Sequence, residues 1–318
     1  MINYIFDILQ SHNNPNYNIL KVLLILTLLY VGYLIWKRYT NFSTSFGKEG
    51  FTQNGPYIIK KNNDIYDEFY VEIYDELHRP KHRISHELIN VVDVTQPTTR
   101  NSVFLDIGSG TGHVIKYLTD AGYRAFGIDK SKAMIEYAET TYPECSFKEG
   151  DVMEPMCFDH TSFSHILCTY FTIYHFSDKL TFFRNCHNWL LPNGYLILHL
   201  VDAESFDAIS PAAKANLVIN PHKYEKKRIT KSAVNFDNFQ YNLSYDYSKV
   251  AENELWRHEK FKDSASGNIR ENELLMYMDS KENILKLARY CGFIVHAEFN
   301  MKENLDDEYQ YIYILERI

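Results

Sequence analysis

The sequence predicts an α/β fold: a doubly wound, mostly parallel sheet of seven strands, with an antiparallel β insertion and an N-terminal transmembrane helix. Three observations predict it. Short apolar runs alternate with amphipathic stretches of helical period between about residues 84 and 203, as strands joined by crossover helices do. The alternation then gives way to "NFQYNLSYDYS", "NELWRHEKFKD" and "RENELLMYM", where aromatic or apolar residues alternate with polar ones, the pattern of antiparallel strands. Finally, residues 19–38 are almost uninterruptedly apolar. The organisation that follows is an N-terminal segment over 1–18, a membrane helix over 19–38, a linker over 39–63 and one domain over 64–318, with the insertion at about 203–278.

Composition bounds the function. A chain of 318 residues with 45% hydrophobic content has ample material for a core. Its formal net charge of −8 argues against a broad basic surface, and so against nucleic acid as a partner. Cysteines at 145, 157, 168, 186 and 291 show no C-x-x-C spacing, so free thiols in a reducing compartment are expected, with no disulfide frame and no zinc site.

From Ile19 to Trp36 only Lys21, Thr27 and the tyrosines depart from apolar or small residues. At ~1.5 Å per residue these positions span about 27 Å, enough for a hydrocarbon core. Lys21 sits at one end, where its stem can snorkel, while Tyr30, Tyr33 and Trp36 cluster toward the other. A cleaved signal peptide would want small residues at a cleavage site, and a buried soluble helix would show a polar face. Neither is present. Lys37, Arg38, Lys48, Lys60 and Lys61 follow the run, so the domain is expected on the cytosolic side of a single-pass anchor.

The domain opens with "DIYDEFYVEIYDELH", whose Ile65, Phe69, Tyr70, Ile73, Tyr74 and Leu77 share a helical face, and a second helix continues after Pro80. The strands of the sheet are then "SVFLDIG", "YRAFGID", "CSFKEGDV", "FSHILCTY", "YLILHLVD", "IVHAEFN" and "YQYIYILERI". Between them lie a helix closed by Gly122, a helix with Ser131 as its N-cap, and "SDKLTFFRNCHNWLLPNG", ended at Pro192-Asn193-Gly194. "SKENILKLARYCGF" is the last helix.

The residues that carry chemistry stand where the first strand turns into a helix, "LDIGSGTGHV". Glycines at 108, 110 and 112 let the backbone take open dihedrals and let a ligand approach the main chain. A phosphate loop would need Gly-Lys-Ser/Thr after the last glycine, and here His113 and Val114 follow. A dinucleotide fingerprint, G-x-G-x-x-G, fails by one position, because His113 stands where its third glycine belongs. The observed pattern is D-x-G-x-G-x-G, with Asp106 at the strand end. Asp129 ends the second strand, seventeen residues after Gly112, and Asp151 ends the third. All three acids sit at carboxyl ends of parallel strands, where open α/β sheets bind ligands.

That pattern resembles the first motif of class I S-adenosylmethionine-dependent methyltransferases, and the resemblance extends over about residues 65–318. "LLPNGYLIL" is similar to the family's turn into its fifth strand, and the closing helix and strand pair also match. The resemblance implies S-adenosylmethionine as cofactor. It implies that the turn Gly108-Ser109-Gly110-Thr111-Gly112 cradles it beside Asp106. It also implies that Asp129, next to Lys130, takes the ribose hydroxyls, while Asp151 and Val152 meet the adenine. Cys168 is expected by the cofactor's methionine part, and one of Tyr66, Tyr70 and Tyr74, Tyr66 before the others, is expected to fold over it, with packing in the helix core as the alternative.

Methyl transfer is an in-line displacement in which positioning carries much of the rate; a hydroxyl acceptor would gain from a general base and an amine needs only a proton removed. Tyr170 and His175 are the candidates near the acceptor, with packing as the alternative for Tyr174 and His175. His199 and Asp202 are expected at the cleft mouth, and "HRPKHR" at 78–83 reads as a solvated surface or an anion contact. The Asn/Asp-Pro-Pro-aromatic motif of nucleic-acid amine methylases is replaced by Cys168-Thr169-Tyr170-Phe171, and the paired glutamates of arginine methylases do not occur. Aromatics of the insertion (Phe236, Phe239, Tyr241, Tyr245, Tyr247, Trp256) suit a lid over a small acceptor, with half of them expected in the insertion's own core. The expected function is transfer of a methyl group to N or O of a small molecule at a membrane, with no metal. A lipid or quinone acceptor, or a non-catalytic tethered module, are the alternatives.

Overall fold

A computed structural model describes residues 15–42, 53, 55–215, 221, 224–225 and 227–318. Two compact units divide the chain, 1–48 and 49–318.

The first unit contains helix α1 (Pro15–Phe42), whose side chains are described from 21 to 34. Val22, Leu23, Ile25, Leu26, Leu28 and Leu29 all stand exposed. Among the described residues, no helix is long and apolar enough to cross a membrane. The anchor expected over 19–38 is therefore not supported. The described apolar stretch, 22–34, amounts to about 20 Å of helix at ~1.5 Å per residue, against about 30 Å of hydrocarbon. Trp36, Lys37 and Arg38 fall outside the residues whose side chains are described.

The second unit begins with a strand that the sequence reads as linker, β1 (Tyr57–Lys61). It pairs in parallel with a strand more than 200 residues away, Tyr57 opposite Ile269. Local pattern could not reveal that partner. Helices α2 (Glu68–His78) and α3 (Pro80–Thr95) follow. Asp67 caps α2 by accepting from Tyr70 N, and Arg79, in the left-handed region at φ 49°, bends the chain between the two helices.

Then come β2 (Val103–Ile107), α4 (His113–Asp120), β3 (Arg124–Asp129), α5 (Lys132–Thr141), β4 (Ser146–Glu149), β5 (Phe163–Cys168), α6 (Lys179–Trp189) and β6 (Leu190–Val201). Ser131 caps α5 as expected, its hydroxyl accepting from Met134 N. Helix α6 stops at Trp189, earlier than expected, because Leu190 already turns extended and Pro192-Asn193-Gly194 lie within β6. The insertion supplies β7 (Lys231–Asn235), β8 (Phe239–Asp246), β9 (Glu254–Asp263) and β10 (Ile269–Tyr277). Helix α7 (Lys281–Tyr290), β11 (Phe293–Asn300) and β12 (Gln310–Arg317) close the chain.

Seven strands form the main sheet in the order β11-β12-β6-β5-β2-β3-β4, parallel except where β12 pairs with β6 and β11. Its central strands are buried on both faces, with Phe104, Leu105, Ile166 and Leu196 fully enclosed, which is why their sequences read as continuous apolar runs. From β2 the chain moves outward to β3 and β4, then returns across to β5. The carboxyl ends of β2 and β5 therefore border the point where winding reverses, the crevice where such sheets take ligands.

The second sheet runs β1-β10-β9-β8-β7. Strand β10 alternates buried and half-buried residues along its whole length, as a sheet covered on one face requires. Arg270 of β10, 2% exposed, binds both oxygens of Asp67 at 2.9 and 2.8 Å and the carbonyl of Ile65. That anchorage brings this sheet against the start of α2.

Candidate active site

A cavity of about 250 Å³ opens at the switch point. Its floor is the turn after β2, with Gly108 and Gly110; its walls include Asp129, Lys130, Asp151 and Val152 from the ends of β3 and β4 and Tyr170, Thr172 and His175 from the loop after β5. Tyr66, Tyr74 and His78 cover one side, and Tyr245, Arg257 and Met276 of the insertion cover another. A smaller space of about 50 Å³ lies beside it, lined by Arg83, Asp106, Ser109, Thr111 and Thr169.

The three glycines have different reasons. All take positive φ, 71°, 51° and 86°. A Cβ on Gly108 would come within 2.7 Å of Thr172, and one on Gly112 within 2.7 Å of Phe147 and 3.1 Å of Ala138. Those two permit close packing of the turn. Gly110 differs: a Cβ there would meet only Tyr74, at 3.9 Å. Its bare backbone faces open space, as a cradle for a ligand must. Gly112 is thus a packing residue, and it borders neither cavity.

Asp129 locks this turn. Its Oδ2 accepts from Gly110 N and its Oδ1 from Ser131 N, both at 2.9 Å. Burial pushes its pKa up, partly offset by those backbone bonds. Asp151 behaves oppositely: burial pushes up, but Lys130 Nζ at 2.7 Å and Met153 N prevail and hold it below its ordinary value. Asp106 is 2% exposed, and burial raises its pKa to about 8, with Arg83 lowering it and Asp129 and Glu87 raising it. The Ser109 hydroxyl and Arg83 Nη1, both beside the small space, are buried without a hydrogen-bond partner. Buried polar atoms left unpaired are costly, so these two are prepared for a polar ligand group.

Helix α2 is latched onto the glycine turn. Asp75 accepts from Thr111 Oγ1 at 2.7 Å and faces His113 Nε2 at 2.5 Å. Tyr66 lies just before the helix, its carbonyl accepting from Ser131 Oγ, and its ring is stacked 6.1 Å from His175. Burial, then Arg257, lowers the His175 pKa to about 4, so the ring is neutral. Tyr174 packs beneath, its hydroxyl accepting from Val201 N at 2.8 Å.

Several expected positions fall elsewhere. Cys168 is fully buried inside the sheet and borders neither cavity; the strand's last side chain points into the core, and Thr169 and Tyr170 reach the site instead. His199 is also enclosed, with Nε2 3.0 Å from Gln310 Oε1 and its ring against Phe171, because β12 covers that edge of β6. Within "HRPKHR", His78 and Arg83 face inward rather than solvent. Of the insertion's aromatics only Tyr245 borders the cavity; Phe239 and Tyr241 belong to the insertion's own core. Reading the sequence missed Arg257, Met276 and His78. They lie far apart in the chain, and only the docking of the second sheet brings them together. Among the described residues no group of three or more His, Cys, Asp or Glu is placed to hold a metal ion.

Comparisons agree with this geometry. Residues 105–198 match the family model described as a methyltransferase domain. The 235L protein of Invertebrate iridescent virus 6, a proposed methyltransferase, is 37% identical over 65 residues; the match spans 20% of this chain and 24% of that relative. Among solved structures, an S-adenosylmethionine-dependent methyltransferase from Clostridium acetobutylicum superposes with a TM-score of 0.59 at 14% identity, covering 78% of this chain and 98% of the other. The CcbJ methyltransferase of Streptomyces caelestis gives 0.59 at 15%, covering 79% and 97%. A sugar N-methyltransferase from a Streptoalloteichus species gives 0.54 at 14%, covering 86% and 98%. Such likenesses speak for the fold. Together with the family match they define the class: residues 105–198 of the chain form a methyltransferase domain. Within that class, this protein covers its cavity with a five-stranded sheet built from 57–61 and the insertion.

Proposed function

We propose that this protein transfers a methyl group from S-adenosylmethionine to a nitrogen or oxygen of a small molecule. One observation carries the reading: the cavity has the bare Gly110 backbone on its floor and is covered on two sides, by Tyr66, Tyr74 and His78 and by the insertion. A covered space near the lower end of the ~300–1,000 Å³ typical of small-ligand sites suits a small acceptor better than a polymer. The likeness to a sugar N-methyltransferase points the same way.

The bound cofactor supplies an electrophilic methyl group on a sulfonium. Around it, Gly108 and Gly110 admit the ligand to the main chain, and Ser109, Thr111 and Asp106 border its amino-acid end. Asp129 has lone pairs left, beyond its two backbone bonds, for the ribose hydroxyls. Lys130, Asp151 and Val152, which line the cavity, would flank the adenine, and Tyr66 would close over it. Tyr170 and His175 flank the acceptor, holding it in line while the covers exclude water.

A lipid or quinone acceptor depended on the membrane anchor and gains no support from the structure. Location at a membrane, with the domain facing the cytosol, rests on the sequence of 19–38 alone; sedimentation of the full chain with carbonate-washed membranes tests it. For the function, calorimetry with S-adenosylmethionine and S-adenosylhomocysteine should show binding of both, followed by turnover on a panel of amino sugars, small amines and hydroxylated metabolites. Absence of heat with either ligand would replace the enzyme with a non-catalytic module.

A further inference from the structure

The hydrogen bonds around His78 fix its protons. Its Nδ1 lies 2.9 Å from Tyr170 Oη and its Nε2 3.1 Å from Tyr70 Oη. Behind Tyr70 stands Glu259 of β9, 3% exposed, with both oxygens 2.9 Å from the Tyr70 hydroxyl. A carboxylate only accepts, so Tyr70 donates to Glu259 and its oxygen faces His78 as an acceptor. Nε2 must then carry the imidazole hydrogen. Among the described residues one rival donor faces Nε2, Arg257 Nη2 at 3.3 Å. That nitrogen has two hydrogens, and Glu259 Oε1 at 2.5 Å and Tyr70 Oη at 3.1 Å are nearer. Nδ1 is left with a bare lone pair, aimed at the Tyr170 hydroxyl.

Tyr170 borders the cavity, and its backbone takes φ 53°. A bulky residue rarely adopts the left-handed region, and such residues cluster at working sites. The Arg83 guanidinium covers its ring at 4.1 Å.

Resting on the methyltransferase reading of this cavity, we propose that Tyr170 takes the proton that the acceptor loses, with His78 and Tyr70 as positioning residues that relay it to Glu259. The methyl carbon–sulfur bond breaks, its electron pair staying on sulfur, as the acceptor's lone pair forms the new bond. The acceptor's proton passes to Tyr170 Oη as Tyr170's own passes to His78 Nδ1; the Nε2 proton moves to Tyr70, and Tyr70's to Glu259. One proton travels from acceptor to carboxylate, and the three relay residues end unchanged in charge. Such a relay serves hydroxyl and amine acceptors, which must shed a proton, and has no use for a carboxylate or thiolate.

The groups facing His78 are Tyr70 and Tyr74 from its own helix, Arg83 from α3, Tyr170 from the loop after β5 and Arg257 from β9, with Glu259 behind Tyr70 and Arg257. Burial, then the Arg257 and Arg83 charges, hold its pKa well below the usual value, so the ring rests neutral.

The test is nitrogen NMR on the full chain, labelled with ¹⁵N-histidine and saturated with S-adenosylhomocysteine, with signals assigned through His78→Gln. Wild type should show the Nε2–H tautomer at His78. Tyr70→Phe keeps the ring but leaves Arg257 alone at Nε2, so the proton should move to Nδ1. Tyr170→Phe should shift Nδ1 toward an unbonded ring nitrogen and, if His78→Gln does not fold, supplies the assignment. An Nδ1–H tautomer in wild type, or no reversal in a folded Tyr70→Phe, overturns the proposal. Failure of S-adenosylhomocysteine to bind would count against the methyltransferase reading instead, while the tautomer is still read.

Discussion

Thr111, on the glycine turn, donates a hydrogen bond of 2.7 Å to Asp75, on helix α2. With His113 on the other Asp75 oxygen and Tyr142 2.8 Å behind His113, this pair fastens the cover of the cavity to its floor. Asp75→Ala should cost about 1–2 kcal/mol of stability, the scale of a lost charged hydrogen bond at a half-exposed site. It should also weaken cofactor binding, because Tyr66 and Tyr74 lose their support. Denaturant unfolding and calorimetry read the two effects; unchanged affinity would detach the helix from the site.

Gly110→Val and Gly112→Ala should part company. At 110 the side chain enters open space beside the turn, so cofactor binding should vanish while the thermal midpoint falls only by the backbone strain of valine at φ 51°. At 112 even a methyl group collides with Phe147 and Ala138, so the midpoint should drop first. Equal losses of stability in both variants would contradict this division.

Asp129→Ala should weaken S-adenosylmethionine binding by roughly 1.5–3 kcal/mol, as for hydrogen bonds to a charged group. It should also loosen the turn, since Gly110 N and Ser131 N lose their acceptor. Dissociation constants for wild type and variant decide it.

Asp106 sets a pH dependence. Its folded pKa is raised from 3.8 to about 8, chiefly by burial. The folded state therefore keeps a proton that the unfolded state has lost between about pH 4 and 8. This group's contribution to stability is full below about pH 4 and lost as pH rises through 8. Asp106→Asn should flatten that part of the stability profile. Binding of a cationic ligand group near Asp106 should expel the proton, so S-adenosylmethionine affinity should climb from pH 6 to 8. Calorimetry at pH 7 in two buffers of different ionisation enthalpy should report proton release, and no release would remove Asp106 from the contact.

Cys168→Ala should lower stability by about 1 kcal/mol, as small losses from a packed core do, and leave cofactor affinity alone. A weakened dissociation constant at unchanged stability would return Cys168 to the site.

Much of the fold was legible because its signals are local. The double-sided burial of β2 and β5 writes itself as apolar runs, the one-sided burial of β8 and β10 as alternation, and the turn at 108–112 as three glycines at positive φ, two of which no other residue could replace without collision. Strand β1 escaped notice because "YIIKK" gains its meaning only from β10, through Tyr57 Oη donating to Glu271 at 2.7 Å and Lys61 paired with Glu273 at 2.9 Å. His78 and Arg83 escaped for a related reason: a basic, proline-broken segment looks solvated until a second sheet and the loop after β5 close over it.

By itself the sequence determined the sheet, the glycine floor and the acids at its rim, because each depends on neighbours a few residues away. Tertiary structure alone decided which side chains meet the acceptor. Tyr170, His78, Tyr70 and Glu259 come from three separated stretches of chain, and their order of donor and acceptor exists only once burial has removed water and left these groups to satisfy one another.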